Sequence, residues 1–253
     1  MGSCTQCRRK PEGCADSLPR AMTRREQFDT VGFDADDTLW KSEDYFTVAE
    51  QFFVAKVGPY APAGIDVLSA LHATELDNVP VSGYGVKGYA LSMVQAAITA
   101  TGGRVPSSVI GELVDHAHEM LMHPVELLDG VPETLAAVGG DHRLVLITKG
   151  DLVHQTRKVR TSGIEHHFEH IRVVLEKDVA TYRDVLDEWG IDPRRFLMVG
   201  NSVRSDILPI LELGGQGVHV PYHVTWAHEV VLEHDGEFSE LTSIRELVDW
   251  LET

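Results

Sequence analysis

The chain has 253 residues, a formal net charge of −17 and a hydrophobic fraction of 43%. That fraction supports a sizeable core, and the length predicts one large domain or one domain with a small insertion. No uninterrupted apolar run approaches the roughly 20 residues that a membrane-spanning helix needs. The strong negative charge argues against binding to nucleic acid or to anionic lipid, because both require a positively charged protein surface.

The N-terminal segment differs in composition from the rest of the chain. All three cysteines, Cys4, Cys7 and Cys14, lie within it, and an odd count confined to one tail is not a disulfide framework. Cysteine usage therefore predicts a reducing, cytoplasmic compartment. Residues 1–26 lack an apolar stretch of signal-peptide length, and we expect them to be a disordered extension. A further hypothesis is that Met22 is the natural start, since it leads directly into the first predicted strand.

The first structured run, Thr30–Phe33, is short and apolar and ends in Asp34. This pattern predicts a buried strand with acids at its carboxyl end. Apolar residues at helical spacing then predict four helices in succession. These helices cover Glu43 to Val57, Ala63 to Leu76, Gly88 to Ala100 and Ser107 to Met122. Since no convincing strand interrupts them, residues 43–123 are predicted to form an all-helical block.

After Pro124 the pattern changes to strands that alternate with helices. Strands are predicted at Arg143–Ile147, Ile171–Leu175, Phe196–Val199 and Gln216–Val220. Helices are predicted at Pro132–Val138, Asp151–Ser162, Val179–Trp189, Ile207–Leu213 and around Ile244–Leu251. Such alternation is typical of a parallel sheet covered by helices on both faces. We therefore expect residues 27–42 and 124–253 to form a Rossmann-like, doubly wound α/β core, with residues 43–123 as an inserted all-helical cap.

Polar side chains follow several of the predicted strands. Asp34, Thr148, Lys177 and Asp206 all fall at or just beyond a strand end. In parallel α/β sheets the ligand binds outside the carboxyl ends of the strands. These four residues can therefore converge in space although they are far apart in sequence.

Asp34, Asp36 and Asp37 form an acidic cluster directly after the buried first strand. Neighbouring acids repel one another, and a bound divalent cation would relieve that repulsion. Magnesium prefers hard oxygen ligands and keeps waters that a substrate phosphate can replace. One carboxylate can then attack phosphorus while another, two residues on, handles the leaving-group proton. Taken alone, the cluster also fits acids that cap a helix or occupy a loop.

The acidic run resembles the first motif of the haloacid dehalogenase (HAD) superfamily, in which four apolar residues precede D-x-D-x-[T/V]-[L/V]. Three further pieces match in the right order. Thr148 ends an apolar strand like that of motif two, and Lys177 resembles the lysine of motif three. Gly200-Asn201-Ser202 with Asp206 resembles motif four. The helical block lies between motifs one and two, where this superfamily inserts a helical cap.

The resemblance implies a magnesium-dependent phosphatase that hydrolyses a small phosphate monoester through a phospho-aspartate. Asp34 would be the nucleophile and a metal ligand. Asp36 would be the general acid/base and would offer its backbone carbonyl to the metal. Thr148 would hydrogen-bond a phosphoryl oxygen, Lys177 would neutralise the charge of nucleophile and phosphate, and Asp206 would complete the metal site. This division of roles fits phosphoryl transfer, which depends on positioning and charge cancellation.

Two residues bear on which reaction of the superfamily is expected. Asn201 departs from the usual motif-four aspartate; an amide keeps an oxygen for the metal but loses a charge, so we expect weaker magnesium binding without loss of activity. Asp36 favours phosphate chemistry, because dehalogenases of the superfamily lack a carboxylate at that position. Phosphomutases share it, so a sugar phosphomutase is an alternative. A catalytically weak protein that binds phosphate esters is another.

The segment Gly83–Gly88 fits the G-x-G-x-x-G pattern of dinucleotide-binding proteins, but predicted helices surround it and no core strand precedes it. We interpret it as a cap loop over the active site, from which Lys87 and Tyr84 can reach the leaving group, or as a plain connection between helices. Lys149, next to Thr148, is a further candidate for substrate binding. The expected partner is a small phosphorylated metabolite. The sequence leaves open both the identity of this metabolite and the oligomeric state of the protein.

Overall fold

The computed structural model describes residues 1–2, 23–224, 226, 229 and 234–253. Its centre is a six-stranded sheet with strand order β3-β2-β1-β4-β5-β6. The strands are β1 (Thr30–Phe33), β2 (Arg143–Lys149), β3 (His170–Val174), β4 (Phe196–Gly200), β5 (Gln216–His219) and β6 (Ser239–Glu240). Every hydrogen-bonded pair of strands is parallel. The first strand of the chain therefore lies in the middle of the sheet, between β2 and β4.

Helices cover this sheet on both faces, because its strands are apolar on both sides. Along β2, Leu144 and Leu146 pack into one hydrophobic cluster, whereas Val145 and Ile147 pack into the other. This alternation follows the two-residue period of a strand. The helices of the core are α1 (Arg24–Gln27), α6 (Val131–Val138), α7 (Leu152–Thr161), α8 (Val179–Trp189), α9 (Leu208–Glu212) and α10 (Glu246–Glu252). The predicted doubly wound α/β class is confirmed.

The regular elements between β1 and α6 are all helices, and the four longest share a hydrophobic core of their own. They form α2 (Glu43–Val57), α3 (Val67–Ser82), α4 (Val86–Ala100) and α5 (Ser107–Met122). Phe53, Leu71, Met93 and Leu113 are fully buried at the centre of this four-helix cluster. No strand occurs within residues 43–122, all of which the structure describes. This arrangement is the one expected of an inserted helical cap.

One predicted helix departs clearly from the structure, and the bounds of the others agree within two residues. The helix predicted at 63–76 begins at Val67, because the Asp66 side chain accepts hydrogen bonds from the amides of Leu68 and Ser69. It then continues through Pro80 to Ser82. The helix predicted at 207–213 is the short α9, and a π-helical turn that was not predicted, Val203–Ile207, precedes it.

The prediction that disorder extends to residue 26 is wrong for residues 24–26. Arg24–Gln27 form the short helix α1, and the Arg24 guanidinium lies 4.6 Å from the centre of the Trp250 ring. This contact ties the segment to α10. The rest of the predicted extension, with Met22 and the three cysteines, falls at residues 3–22, outside the described part of the chain. No described helix is long and apolar enough to cross a membrane.

Candidate active site

Asp34 lies directly after β1, at the carboxyl edge of the sheet, and is only 6% exposed. Its backbone amide donates to the Val199 carbonyl at 2.9 Å, which extends the pairing of β1 with β4. Thr38 Oγ1 donates to Asp34 Oδ2 at 3.1 Å, and Lys177 Nζ donates to Asp34 Oδ1. The same ammonium donates to Asp206 Oδ1 at 2.6 Å. The chain thus brings together three predicted site residues that are separated by up to 172 positions in sequence.

Charge in this group is not balanced. Asp34, Lys177 and Asp206 are all buried, and the single ammonium of Lys177 forms ion pairs with both carboxylates. Burial raises the pKa of Asp34 to about 7; Lys177 opposes that rise and Asp206 adds to it. Burial acts to lower the pKa of Lys177, but attraction to Asp206 and Asp34 outweighs it and raises that pKa well above its usual value. The excess negative charge suits a cation at this point.

Asp206 reaches the group because of the local backbone. Its Oδ2 accepts a hydrogen bond from the Ser202 amide at 3.0 Å, within the π-helical turn that follows β4. A Cβ atom at Gly200 would clash with the Asp206 carboxyl group. Glycine at this position therefore lets the carboxylate approach the end of β4.

The surroundings of Asn201 fit a hard divalent cation such as Mg²⁺. One amide atom of Asn201 lies 3.3 Å from Asp34 Oδ2 and 3.3 Å from the Asp36 backbone oxygen. With nitrogen in that place the amide donates to both; with oxygen there, three oxygens converge and a cation offsets their repulsion. Among the described residues no three His, Cys, Asp or Glu side chains converge as a metal cluster. The oxygen donors are instead the Asp34 and Asp206 carboxylates, a backbone carbonyl and an amide.

Asp36 is held by residues that the sequence analysis missed. Trp40 Nε1 donates to its Oδ1 at 2.5 Å, Lys158 Nζ donates to the same oxygen, and Gln155 Nε2 donates to Oδ2 at 3.0 Å. Gln155 also donates to Thr148 Oγ1 at 2.7 Å, which links Asp36 to the predicted phosphate-binding hydroxyl. Burial acts to raise the pKa of Asp36, but Lys158, with the hydrogen bonds from Trp40 and Gln155, lowers it below its usual value.

A signal for two of these partners was present in the sequence. Gln155 and Lys158 are three residues apart on α7, the helix that follows β2, and side chains at that spacing share one helix face. Asp151 caps the start of this helix by accepting a hydrogen bond from the His154 amide at 2.8 Å. The cap fixes the start of the helix and hence the face that turns toward Asp36.

The capping interpretation of the acidic cluster applies to Asp37. This residue has a positive φ of 61°, and its carboxylate accepts hydrogen bonds from the amides of Ser42 at 2.8 Å and Glu43 at 3.1 Å. These amides lie at the start of α2, where backbone donors lack partners within the helix. Asp37 therefore stabilises the entry into the helical block, whereas Asp34 and Asp36 have the contacts described above.

Lys149 and Lys87, which were predicted with Lys177 to bind substrate, also have carboxylate partners in the protein. Lys149 Nζ lies 2.5 Å from Glu229 Oε1 and 3.4 Å from Glu176 Oε1, and it is 4.2 Å from the centre of the Tyr84 ring. Lys87 Nζ lies 3.0 Å from Asp151 Oδ1, so it joins the start of α4 to the start of α7. The Lys87 ammonium is thus paired with a carboxylate of the α/β core.

A cavity of about 200 Å³ lies between the carboxyl edge of the sheet and helices α2 to α5. Seven of the eight predicted site residues line it, and Lys87 does not. The seven are Asp34, Asp36, Thr148, Lys149, Lys177, Asn201 and Asp206. Tyr84 and Gly85 also line the cavity, so the G-x-G-x-x-G segment borders it.

A parallel α/β sheet with clustered acids, a buried lysine and an overlying helical layer defines a class of hydrolase. The model of the haloacid dehalogenase-like hydrolases matches residues 28–214. The chain belongs to this family of hydrolases. No curated protein matches the chain in sequence.

Solved structures agree with this assignment. A haloacid dehalogenase-like family hydrolase from Xanthomonas campestris is 40% identical, with a TM-score of 0.79, over 88% of this chain and 90% of that chain. A predicted phosphoglycolate phosphatase from Haemophilus somnus is 18% identical, with a TM-score of 0.60, over 88% and 97%. The L-2-haloacid dehalogenase from Xanthobacter autotrophicus is 14% identical, also with a TM-score of 0.60, over 88% and 97%. The latter two share the fold with this chain.

Proposed function

We propose that this hydrolase is a magnesium-dependent phosphatase that cleaves a small phosphate monoester through a phospho-aspartate on Asp34. The observation that carries the proposal is the carboxylate of Asp36, which lines the cavity two residues after Asp34. A phosphatase needs an acid/base at this position, whereas a dehalogenase of the superfamily does not have one. The hydrogen bonds from Gln155 to both Asp36 and Thr148 support a shared role at one phosphoryl group.

In the first step an oxygen of Asp34 attacks phosphorus, the bond from phosphorus to the ester oxygen breaks, and Asp36 gives that oxygen a proton. Lys177 and Thr38 hold the two oxygens of Asp34 before attack. In the second step water attacks the phospho-aspartate and Asp36 takes its proton, which restores Asp34 and releases inorganic phosphate. Asp36 has a lowered pKa in the resting protein, and an incoming phosphate anion would raise it toward the protonated form.

Side chains of the protein supply part of the positive charge around the phosphoryl group, and a bound metal would supply more. Lys177 supplies a buried ammonium beside Asp34, and the Thr148 hydroxyl lines the same cavity. Mg²⁺, when bound by Asp34, Asp206, the Asp36 carbonyl and Asn201, would neutralise charge on the phosphoryl oxygens. Such preorganised charge is the main source of catalysis in phosphoryl transfer.

The test is release of phosphate from p-nitrophenyl phosphate with and without Mg²⁺, together with release of chloride from 2-chloropropionate. Wild type, Asp34→Asn and Asp36→Asn are compared, and urea unfolding confirms that each variant is folded. Magnesium-dependent release of phosphate that is lost in Asp34→Asn supports the proposal. Release of chloride without release of phosphate refutes it. With a sugar phosphate as substrate, an isomerised sugar phosphate in place of free phosphate would identify the mutase alternative.

A further inference from the structure

The cap side of the cavity carries three glutamates. Glu43 and Glu50 lie seven residues apart on α2, which is two helical turns and places them on one face. Glu75 joins them from α3. All three are half-buried in the protein, so their charges are shielded from water only in part. At this end of the cavity the cap therefore contributes three acids to the lining.

These glutamates have few partners among the described residues. No described residue donates a hydrogen bond to the Glu43 carboxylate, and the charged residues that raise its pKa most are the acids Asp37, Glu75, Glu50 and Asp36. Glu75 has a hydrogen bond to Trp226, and Glu50 Oε1 lies 2.5 Å from Nε2 of the half-exposed His72. Burial, followed by repulsion from the neighbouring acids, raises the pKa of Glu43 to about 8; burial raises that of Glu75 to about 7. A cation placed here would relieve this unfavourable arrangement.

The lysines around the cavity do not supply that cation, because each is paired with a different carboxylate. The pairs are Lys41–Glu126, Lys149–Glu229, Lys158–Asp36 and Lys177–Asp34.

A second, independent feature of the same end is the hydroxyl of Tyr89. Tyr89 lines the cavity and is 3% exposed, and its hydroxyl has no hydrogen-bond partner in the described part of the chain. Its ring packs edge-on against Phe46, 5.1 Å away between ring centres. A buried hydroxyl without a partner costs free energy, and a ligand that hydrogen-bonds to it recovers that cost. The cavity end thus offers carboxylate and hydroxyl acceptors beside aromatic rings.

We propose that the leaving alcohol of the substrate carries a protonated amine, which binds between Glu43, Glu75 and the Tyr89 hydroxyl. This inference rests on the proposed phosphatase activity, because it concerns the half of the ester that leaves. A primary ammonium has three N–H donors and no acceptor, which matches a group made of acceptors. The aromatic rings of Phe46 and Tyr89 add attraction for the cation. The substrate class is a phosphate ester of an amino alcohol, with its anion at Lys177 and its cation at the cap.

The experiment measures kcat/KM for O-phosphoethanolamine and for n-propyl phosphate, in which a methyl group replaces the ammonium. Wild type should prefer the amino ester by at least about tenfold, since a partly buried charge pair is worth that much or more. Glu43→Gln and Glu75→Gln should each reduce this ratio by about tenfold, and Tyr89→Phe by a smaller factor. Glu119→Gln, on the exposed surface of α5, is the matched control and should leave the ratio unchanged.

p-Nitrophenyl phosphate separates the two levels of the proposal. Turnover of this ester and of propyl phosphate, with no preference for the amino ester, overturns the amine inference and leaves the phosphatase intact. No turnover of any ester overturns both. A preference that survives Glu43→Gln and Glu75→Gln also overturns the inference, provided that unfolding in urea shows both variants to be folded. A preference for phosphocholine over phosphoethanolamine would overturn the hydrogen-bonded primary amine.

Discussion

Replacing Lys177 by methionine tests whether the buried charge group is organised as described. The change keeps a long side chain but removes the ammonium shared by Asp34 and Asp206. At the 2.6 Å separation from Asp206, Coulomb attraction amounts to about 6 kcal/mol for an effective dielectric constant of about 20. Desolvation of the charges offsets part of this, so removal of one buried partner costs about 3–5 kcal/mol. For a chain of this length the melting temperature should fall by about 6–20 °C.

The assay is urea unfolding of wild type and Lys177→Met in buffer that contains a metal chelator. The matched control is Lys56→Met, because Lys56 pairs with Glu112 in a half-exposed ion pair on the cap. An exposed pair contributes at most about 1 kcal/mol, so the control should lose far less stability. Added Mg²⁺ should recover part of the stability of Lys177→Met, since it supplies the missing positive charge. Equal losses in both variants would refute the assignment of the buried group.

Three further predictions concern residues around this group. Burial and repulsion from Lys158 lower the pKa of His154 to about 4, below its usual 6.5, so the free energy of unfolding should decrease as pH falls through this interval. His154→Gln should remove about 1–3 kcal/mol of that decrease, measured by urea unfolding at about pH 7.5 and pH 4; parallel pH profiles would contradict the assignment. Asn201→Asp should lower the Mg²⁺ concentration for half-maximal activity by about tenfold, because it adds a charged ligand; an unchanged value would show that Asn201 is not near the metal. Gln155→Leu should reduce kcat on the order of 100-fold with a smaller change in KM, because Asp36 and Thr148 lose their common donor; the reverse pattern would assign Gln155 to substrate binding.

The bounds of several elements could be predicted because the local sequence determines them. Glu43–Val57, Ser107–Met122 and Val179–Trp189 form helices with the predicted bounds, since apolar periodicity and end signals coincide there. The helix at Val67–Ser82 was placed too early, because Asp66 gives a stronger start signal than Pro62. The turn at Val203–Ile207 was not predicted, because five residues form a single π-helical turn, which is too short to give a periodic pattern of apolar residues.

The charges of the site could be predicted only in part. Lys149 and Lys87 are cations near a phosphate site by sequence, but Glu229 and Asp151 pair with them in the structure. Such pairs connect residues 80 and 64 positions apart, and no periodic pattern indicates them. The three glutamates of the cap could not be predicted as cavity residues either, because acids on a helix are usually exposed to solvent.

The sequence alone determined the order of strands β1 to β5 and helices α2 to α10, the placement of Asp34, Thr148, Lys177 and Asp206 at strand ends, and the family of the chain. These follow from local periodicity and short motifs, each of which lies within a few neighbouring residues. Only the tertiary structure decided which charged and polar groups meet: Lys177 with two aspartates, Lys158 and Gln155 with Asp36, and Glu43 with Glu75 on the cap side of the cavity. The physical reason is that the interaction between charges depends on distance and burial, which packing of distant segments sets.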